Sequence, residues 1–101
     1  VIRKYPTSDK IDDAAYAMGR IQDYFKDYQL ALMSFQRAYQ WDANTPYPAR
    51  FRAANILDKK LHRRNEALTL YQEAIIKEAG FNEWRIPAER RVKELTASES
   101  K

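Results

Sequence analysis

Ala31-Leu32-Met33-Ser34-Phe35-Gln36-Arg37-Ala38 returns as Ala67-Leu68-Thr69-Leu70-Tyr71-Gln72-Glu73-Ala74, 36 residues further along the chain. Alanine, leucine, an aromatic ring, glutamine and alanine recur at identical offsets. A repeat of this length is one supersecondary unit that cannot bury its apolar face alone, so neighbouring units stack and share a core. Alanine at the ends of each stretch lets paired helices approach closely. Phe35 and Tyr71, one in each copy, are then the bulky groups that fill the space between one pair and the next.

Outward from this stretch, apolar residues at helical spacing predict five helices. Ser8 or Asp9 is placed to cap the first, with Asp12 and Asp13 in its opening turn, where negative charge suits the helix dipole. Its apolar stripe is Ala14, Ala15, Ala17, Met18, Ile21 and Phe25. A polar turn over 26–28 leads to a second helix ending near Trp41. Pro46 and Pro48 then enforce a loop, because each lacks a backbone donor and disfavours helix in the residue before it. A third helix is predicted over about 49–61 and a fourth over about 65–79, with Gly80 as its stop. A fifth, over about 86–97, has Pro87 in its first turn.

At 101 residues the chain has room for one domain, 1–101. Forty-five per cent hydrophobic and 32% charged residues suit a folded protein, and two glycines with four prolines suit long elements with few turns. No apolar run approaches the roughly 20 residues that a membrane-spanning helix needs. No secretory leader pattern opens the chain, which reads as a mature or excised piece of something longer. Without cysteine there is no disulfide, thiolate metal site or cysteine nucleophile. The net charge of +4 is mild beside that of typical nucleic-acid-binding faces.

These residues resemble the tetratricopeptide repeat. The family's pattern of an aromatic or small residue, a large apolar–glycine pair, then alanine, an aromatic and a second alanine is matched at Ala15, Met18-Gly19, Ala31, Phe35 and Ala38, and again at Phe51, Ala67, Tyr71 and Ala74. The second copy departs at Ala54-Asn55, where the apolar–glycine pair is expected, which loosens the crossing of its two helices. The resemblance implies an all-α fold: antiparallel helix-turn-helix repeats stacked as a short right-handed α-solenoid. The repeats would cover 8–45 and 46–80, followed by a capping helix at 84–97. Tyr5-Pro6-Thr7-Ser8 followed by Ala14-Ala15-Tyr16-Ala17-Met18-Gly19 is similar to repeats of bacterial extracytoplasmic proteins, among them outer-membrane assembly lipoproteins and the coordinator of the Tol–Pal system. That likeness implies a periplasmic or outer-membrane-associated setting, with Val1 to Pro6 as the tail of a preceding repeat.

Catalysis has little support in the sequence. His62 is the single histidine and stands among Lys59, Lys60, Arg63 and Arg64 at a predicted helix end, which reads as a solvated turn. Glycine-flanked serines, phosphate-cradling glycine loops and paired zinc ligands are absent. Asp12-Asp13, Glu73 and Glu78 read as helix-surface charges. The expectation is a protein that is no enzyme and carries no metal or cofactor.

In tetratricopeptide stacks the first helix of each pair lines a concave side that holds a peptide. By register, that side is expected to carry Asp13, Tyr16, Arg20, Asp23 and Tyr24 from the first copy, and Arg52, Ile56, Lys59 and Lys60 from the second. Tyrosine beside arginine suits recognition, since the ring supplies rigid area and guanidinium grips carboxylates with paired hydrogen bonds. The same residues also fit a solvated face with ordinary charge pairs. The asparagine–lysine clamp that some family members use for C-terminal carboxylates is replaced by Arg20 and Ile56. Trp41 and Trp84 are expected to pack between repeats or under the cap. A protein or peptide partner, acidic in character, is the expected ligand. Self-assembly through an exposed repeat edge and binding of phosphate or nucleic acid by the basic turn 59–64 are the alternatives.

Overall fold

The computed structural model describes residues 7–99, with side chains from 13 to 97. They form five α-helices and, among the described residues, no strand: α1 (Thr7–Tyr24), α2 (Tyr28–Trp41), α3 (Ala49–Lys59), α4 (Arg64–Lys77) and α5 (Asn82–Glu99). The Val1–Pro6 segment lies outside the described residues. Each helix packs mainly on its neighbours in sequence, and α3 also touches α5. The result is an elongated body of 58 × 27 × 19 Å.

The 36-residue recurrence is visible in the packing. Ala31, Ala38, Ala67 and Ala74 are fully buried, and Phe35 and Tyr71 are core residues. At Gly19 an added Cβ would stand 2.7 Å from the Phe35 ring, so α1 and α2 cross at a distance that only glycine permits. At Asn55, 36 residues on, the side chain is exposed, and the α3–α4 pair has room for it. The backbone repeats as well. Lys26 (φ 67°) and His62 (φ 57°) are the left-handed residues of the described chain, 36 apart, each turning one helix into the next.

Several sequence expectations are corrected. α1 starts at Thr7, so Ser8 and Asp9 lie within its first turn and do not precede it. The supposed apolar stripe of α1 is mostly solvent-facing: Ala14, Ala17, Met18, Ile21 and Phe25 are exposed, and the buried residues are Ala15, Tyr16 and Gly19. The reason is geometric, because α2 and α3 cover only one side of α1. Gly80 has no positive φ, and α4 ends at Lys77 with Glu78 as its cap. α5 begins at Asn82, one turn earlier than expected, and carries Pro87 inside it. Proline in an early turn forfeits one hydrogen bond, to the Glu83 carbonyl, and Glu83 is exposed where water can satisfy that oxygen.

Glu73 and Glu78 are also not simple surface charges. Glu78 is 3% exposed, and its carboxylate accepts from the backbone N–H groups of Arg50 (2.9 Å) and Phe51 (3.2 Å). It thereby caps the first turn of α3 from the end of α4, satisfying donors that no intrahelical carbonyl reaches. The Arg50 guanidinium, equally buried, bonds Glu78 at 3.1 Å, Glu73 at 3.0 Å and the Ala43 carbonyl at 3.2 Å. Burial outweighs these bonds in raising the Glu78 carboxyl above its ordinary pKa. A second buried carboxylate, Asp58, accepts two bonds from Arg91 of α5 (2.7 and 2.8 Å) and one from the Tyr71 hydroxyl (3.2 Å). The Arg91 bonds hold Asp58 below the usual carboxylate range despite its burial. This network fastens α5 to α3 and α4, and it positions the site described next.

Candidate functional site

A hollow of about 520 Å³ lies between α3 and α5. Phe51, Tyr71, Trp84, Pro87 and Ala88 supply its apolar walls, and Asn55, Lys59, Glu83, Arg90, Arg91 and Glu94 its polar ones. A smaller pit of about 40 Å³ adjoins it, lined by Asp23, Arg52, Asn55, Ile56, Lys60 and Trp84. Asn55 and Trp84 belong to both, so the two form one groove along the open side of α3.

Helical periodicity explains the alignment. Residues 55 and 56 each lie three or four positions from both 52 and 59, so the four share one side of α3. The opposite side buries Ala53, Ala54 and Leu57 in the core. From α5, residues 84, 87, 88 and 91 face back at the same spacing. The wall of the groove is fixed by the Arg91–Asp58 pair, because Asp58 is anchored in α3 and Arg91 in α5. The Tyr71 hydroxyl is held at the base by Asp58, and burial pushes its pKa up.

Arg52 stands at the junction. It is half-buried, and its Nε donates to the Tyr16 hydroxyl at 2.6 Å. Its guanidinium carbon lies 4.9 Å from the Trp84 ring centre, 5.5 Å from that of Tyr16 and 6.0 Å from that of Phe35. Such contacts stabilise a cation at its ring faces and restrict its rotamers. No carboxylate among the described residues reaches ion-pair distance of Arg52, in contrast to Arg50, Arg63, Arg85 and Arg91.

The residues singled out by sequence register divide into two sets. Arg52, Ile56, Lys60 and Asp23 do meet around the pit, and Lys59 borders the larger hollow. Tyr16 and Ile56 are only 8% and 4% exposed, so they support the groove from beneath. Tyr16 stacks on Tyr47 at 4.6 Å, and the Tyr47 hydroxyl donates to Asp13 at 2.6 Å. Tyr24 is 79% exposed and makes an edge contact with Phe25, and Arg20 is exposed. Lys60 lies over the Tyr28 ring at 5.3 Å. The α5 contribution was not anticipated. Trp84, Pro87 and Arg90 read as part of a cap, although a helix that follows a hairpin pair can present its side chains to the same open face. Trp84 does pack as expected, on Arg52, whereas Trp41 is half exposed on α2.

Comparison with protein-family models, with curated proteins and with solved structures finds no match to this chain. No helix among the described residues is long and apolar enough to cross a membrane.

Proposed function

We propose that the protein is a non-catalytic binding scaffold of the tetratricopeptide kind, two repeats and a capping helix stacked as a short right-handed α-solenoid, which holds a segment of a partner protein against the α3–α5 face. The observation that carries this reading is the groove itself: a hollow of about 520 Å³ with aromatic and aliphatic walls and a rim of mixed charge, Lys59, Arg90 and Arg91 beside Glu83 and Glu94. Lys59 and Arg90 on that rim have no acidic partner within ion-pair distance among the described residues. Concave, mostly apolar surfaces with a few convergent polar groups are where ligands bind. The architectural reading is supported by the matched helix pairs, the matched turn residues Lys26 and His62, and the sequential packing of one pair on the next.

Asn55 tests the groove, since it is exposed and shared by both hollows. Peptides selected from a random library on the immobilised chain should bind Asn55→Glu weakly and bind Met18→Glu, altered on the far side, as they bind the unaltered protein. Equal binding to all three proteins would remove the groove from the account.

A second reading, self-assembly, is supported by the α1–α2 face. Met18, Ile21, Leu30 and Met33 are each about half exposed on these two helices, and Met18, Leu30 and Met33 line a hollow of about 450 Å³. Their counterparts 36 residues on include Ala54 and Leu57, which α2 helps to bury. Covering the remaining half of a large apolar side chain is worth on the order of 1 kcal/mol. Eight such side chains across a symmetric pair would gain roughly 8 kcal/mol, comparable with the cost of association, so any dimer would be weak. Light scattering that gives a monomer mass at every concentration would sink this second reading.

A further inference from the structure

We infer that the groove selects protein segments in which a carboxylate side chain stands beside an apolar one, with the carboxylate seated on Arg52 and the apolar group in the hollow between α3 and α5. This rests on the groove reading above and adds the chemistry of its ligand.

Arg52 is a cation held in place with no carboxylate among the described residues at ion-pair distance. Its Nε is committed to the Tyr16 hydroxyl, and Trp84 and Tyr16 hold the guanidinium by their rings. The terminal nitrogens, Nη1 and Nη2, have no acceptor among the described residues. Two fixed, parallel donors match the two oxygens of a carboxylate, and pre-set side chains lose little entropy on binding. A half-buried guanidinium also sits where the local dielectric is lower than in water, so the pair formed there is stronger than a surface ion pair.

Trp84 links the two halves of the site. One ring both contacts Arg52 and walls the hollow whose other apolar residues include Phe51, Pro87 and Ala88. A ligand spanning that ring needs an acid and an apolar side chain at adjacent or alternate positions, since alternate side chains of an extended chain stand about 7 Å apart on one face. Lys59, Lys60 and Arg90 strengthen the field that draws an acidic segment in. Asp23, Glu83 and Glu94, on the same rim, work against a polyanion and favour a single anchoring carboxylate. A sugar–phosphate backbone would meet these three acids and leave the apolar walls unfilled.

The test is to pan a random peptide library on the full chain and, in parallel, on Arg52→Gln and Arg52→Lys, each confirmed as folded by circular dichroism. On the unaltered chain, enriched peptides should carry aspartate or glutamate within two positions of a large apolar residue, several-fold above the starting library. On Arg52→Gln the acid preference should fall to background while the apolar preference stays, and Arg52→Lys should retain part of it. An acid preference that is absent, or identical on Arg52→Gln, overturns the inference and leaves the groove reading standing. No enrichment on the unaltered chain overturns both. An oligonucleotide that binds more tightly than the enriched peptides, with steep salt dependence, overturns the inference in favour of a phosphate ligand.

Discussion

Replacing Gly19 by alanine adds one methyl group at the tightest crossing in the protein. That carbon would stand 2.7, 2.8 and 2.9 Å from Cε1, Cδ1 and Cζ of Phe35, closer than real Cβ contacts come. The ring has no free direction to move, because Phe35 is fully buried and Tyr16 packs on it at 5.5 Å between centroids. Overpacking of this kind costs about 1–3 kcal/mol. Alanine recovers up to about 1 kcal/mol over glycine inside a helix. The net loss is up to about 2 kcal/mol, which lowers Tm by about 4–8 °C per kcal/mol in a domain of this size. Asn55→Ala, at the corresponding point of the second pair, supplies the control: no clash arises there, alanine is the better helix former, and Tm should hold or rise. The assay is thermal unfolding followed by far-ultraviolet circular dichroism, with Gly19→Ala/Phe35→Leu as a third variant. The smaller leucine should relieve the clash, so the double variant should lose less than the sum of the two single losses. If Gly19→Ala melts at or above the unaltered protein, the close α1–α2 crossing is not where it is described.

Phe35→Ala should lose about 3–5 kcal/mol, most of a small domain's stability, and show a non-cooperative melt. Arg91→Ala strands the buried Asp58 carboxylate and should cost about 3 kcal/mol, the lower end for a broken buried pair since Arg91 is partly exposed. The folded pKa of Asp58 lies below its unfolded value, held there first by the Arg91 bonds, so the unfolded chain takes up the proton first as pH falls. The stability lost in Asp58→Asn, measured by urea unfolding, should therefore be full above about pH 4 and shrink as pH drops through the depressed pKa; a difference that grows on acidification would contradict this. Lys26→Gly and His62→Gly relieve left-handed backbone, and each should gain about 0.5 kcal/mol in the same assay.

The repeat, the helix count and the core alanines were legible because they depend on local spacing and on small residues that recur. Phe35 and Tyr71 could be named as core from their register alone. What could not be read was which side of α1 would be covered. An amphipathic pattern tells that a face is apolar, and it does not tell whether a neighbour arrives to cover it, so Met18, Ile21 and Phe25 looked like core and are exposed. Glu78 failed for a related reason: a glutamate at a helix end resembles surface charge until the start of α3 folds against it. The groove was half visible. Register placed Arg52, Lys59 and Lys60 on one side of α3, but the other wall comes from α5, whose Trp84 and Pro87 carry no repeat signature. Tyr16 and Ile56 share the right face and are too deep to present it.

The chain has two tryptophans, and they report on different surfaces. Trp84 walls the groove, while Trp41 stands half exposed on α2 beside Met33, Gln36 and Arg37. Two indole N–H signals in a proton–nitrogen correlation spectrum therefore distinguish the two faces in one titration with a library-selected peptide. The account predicts that the Trp84 signal moves saturably and the Trp41 signal stays. Movement of Trp41 with a still Trp84 would place binding on the α1–α2 side and contradict the groove.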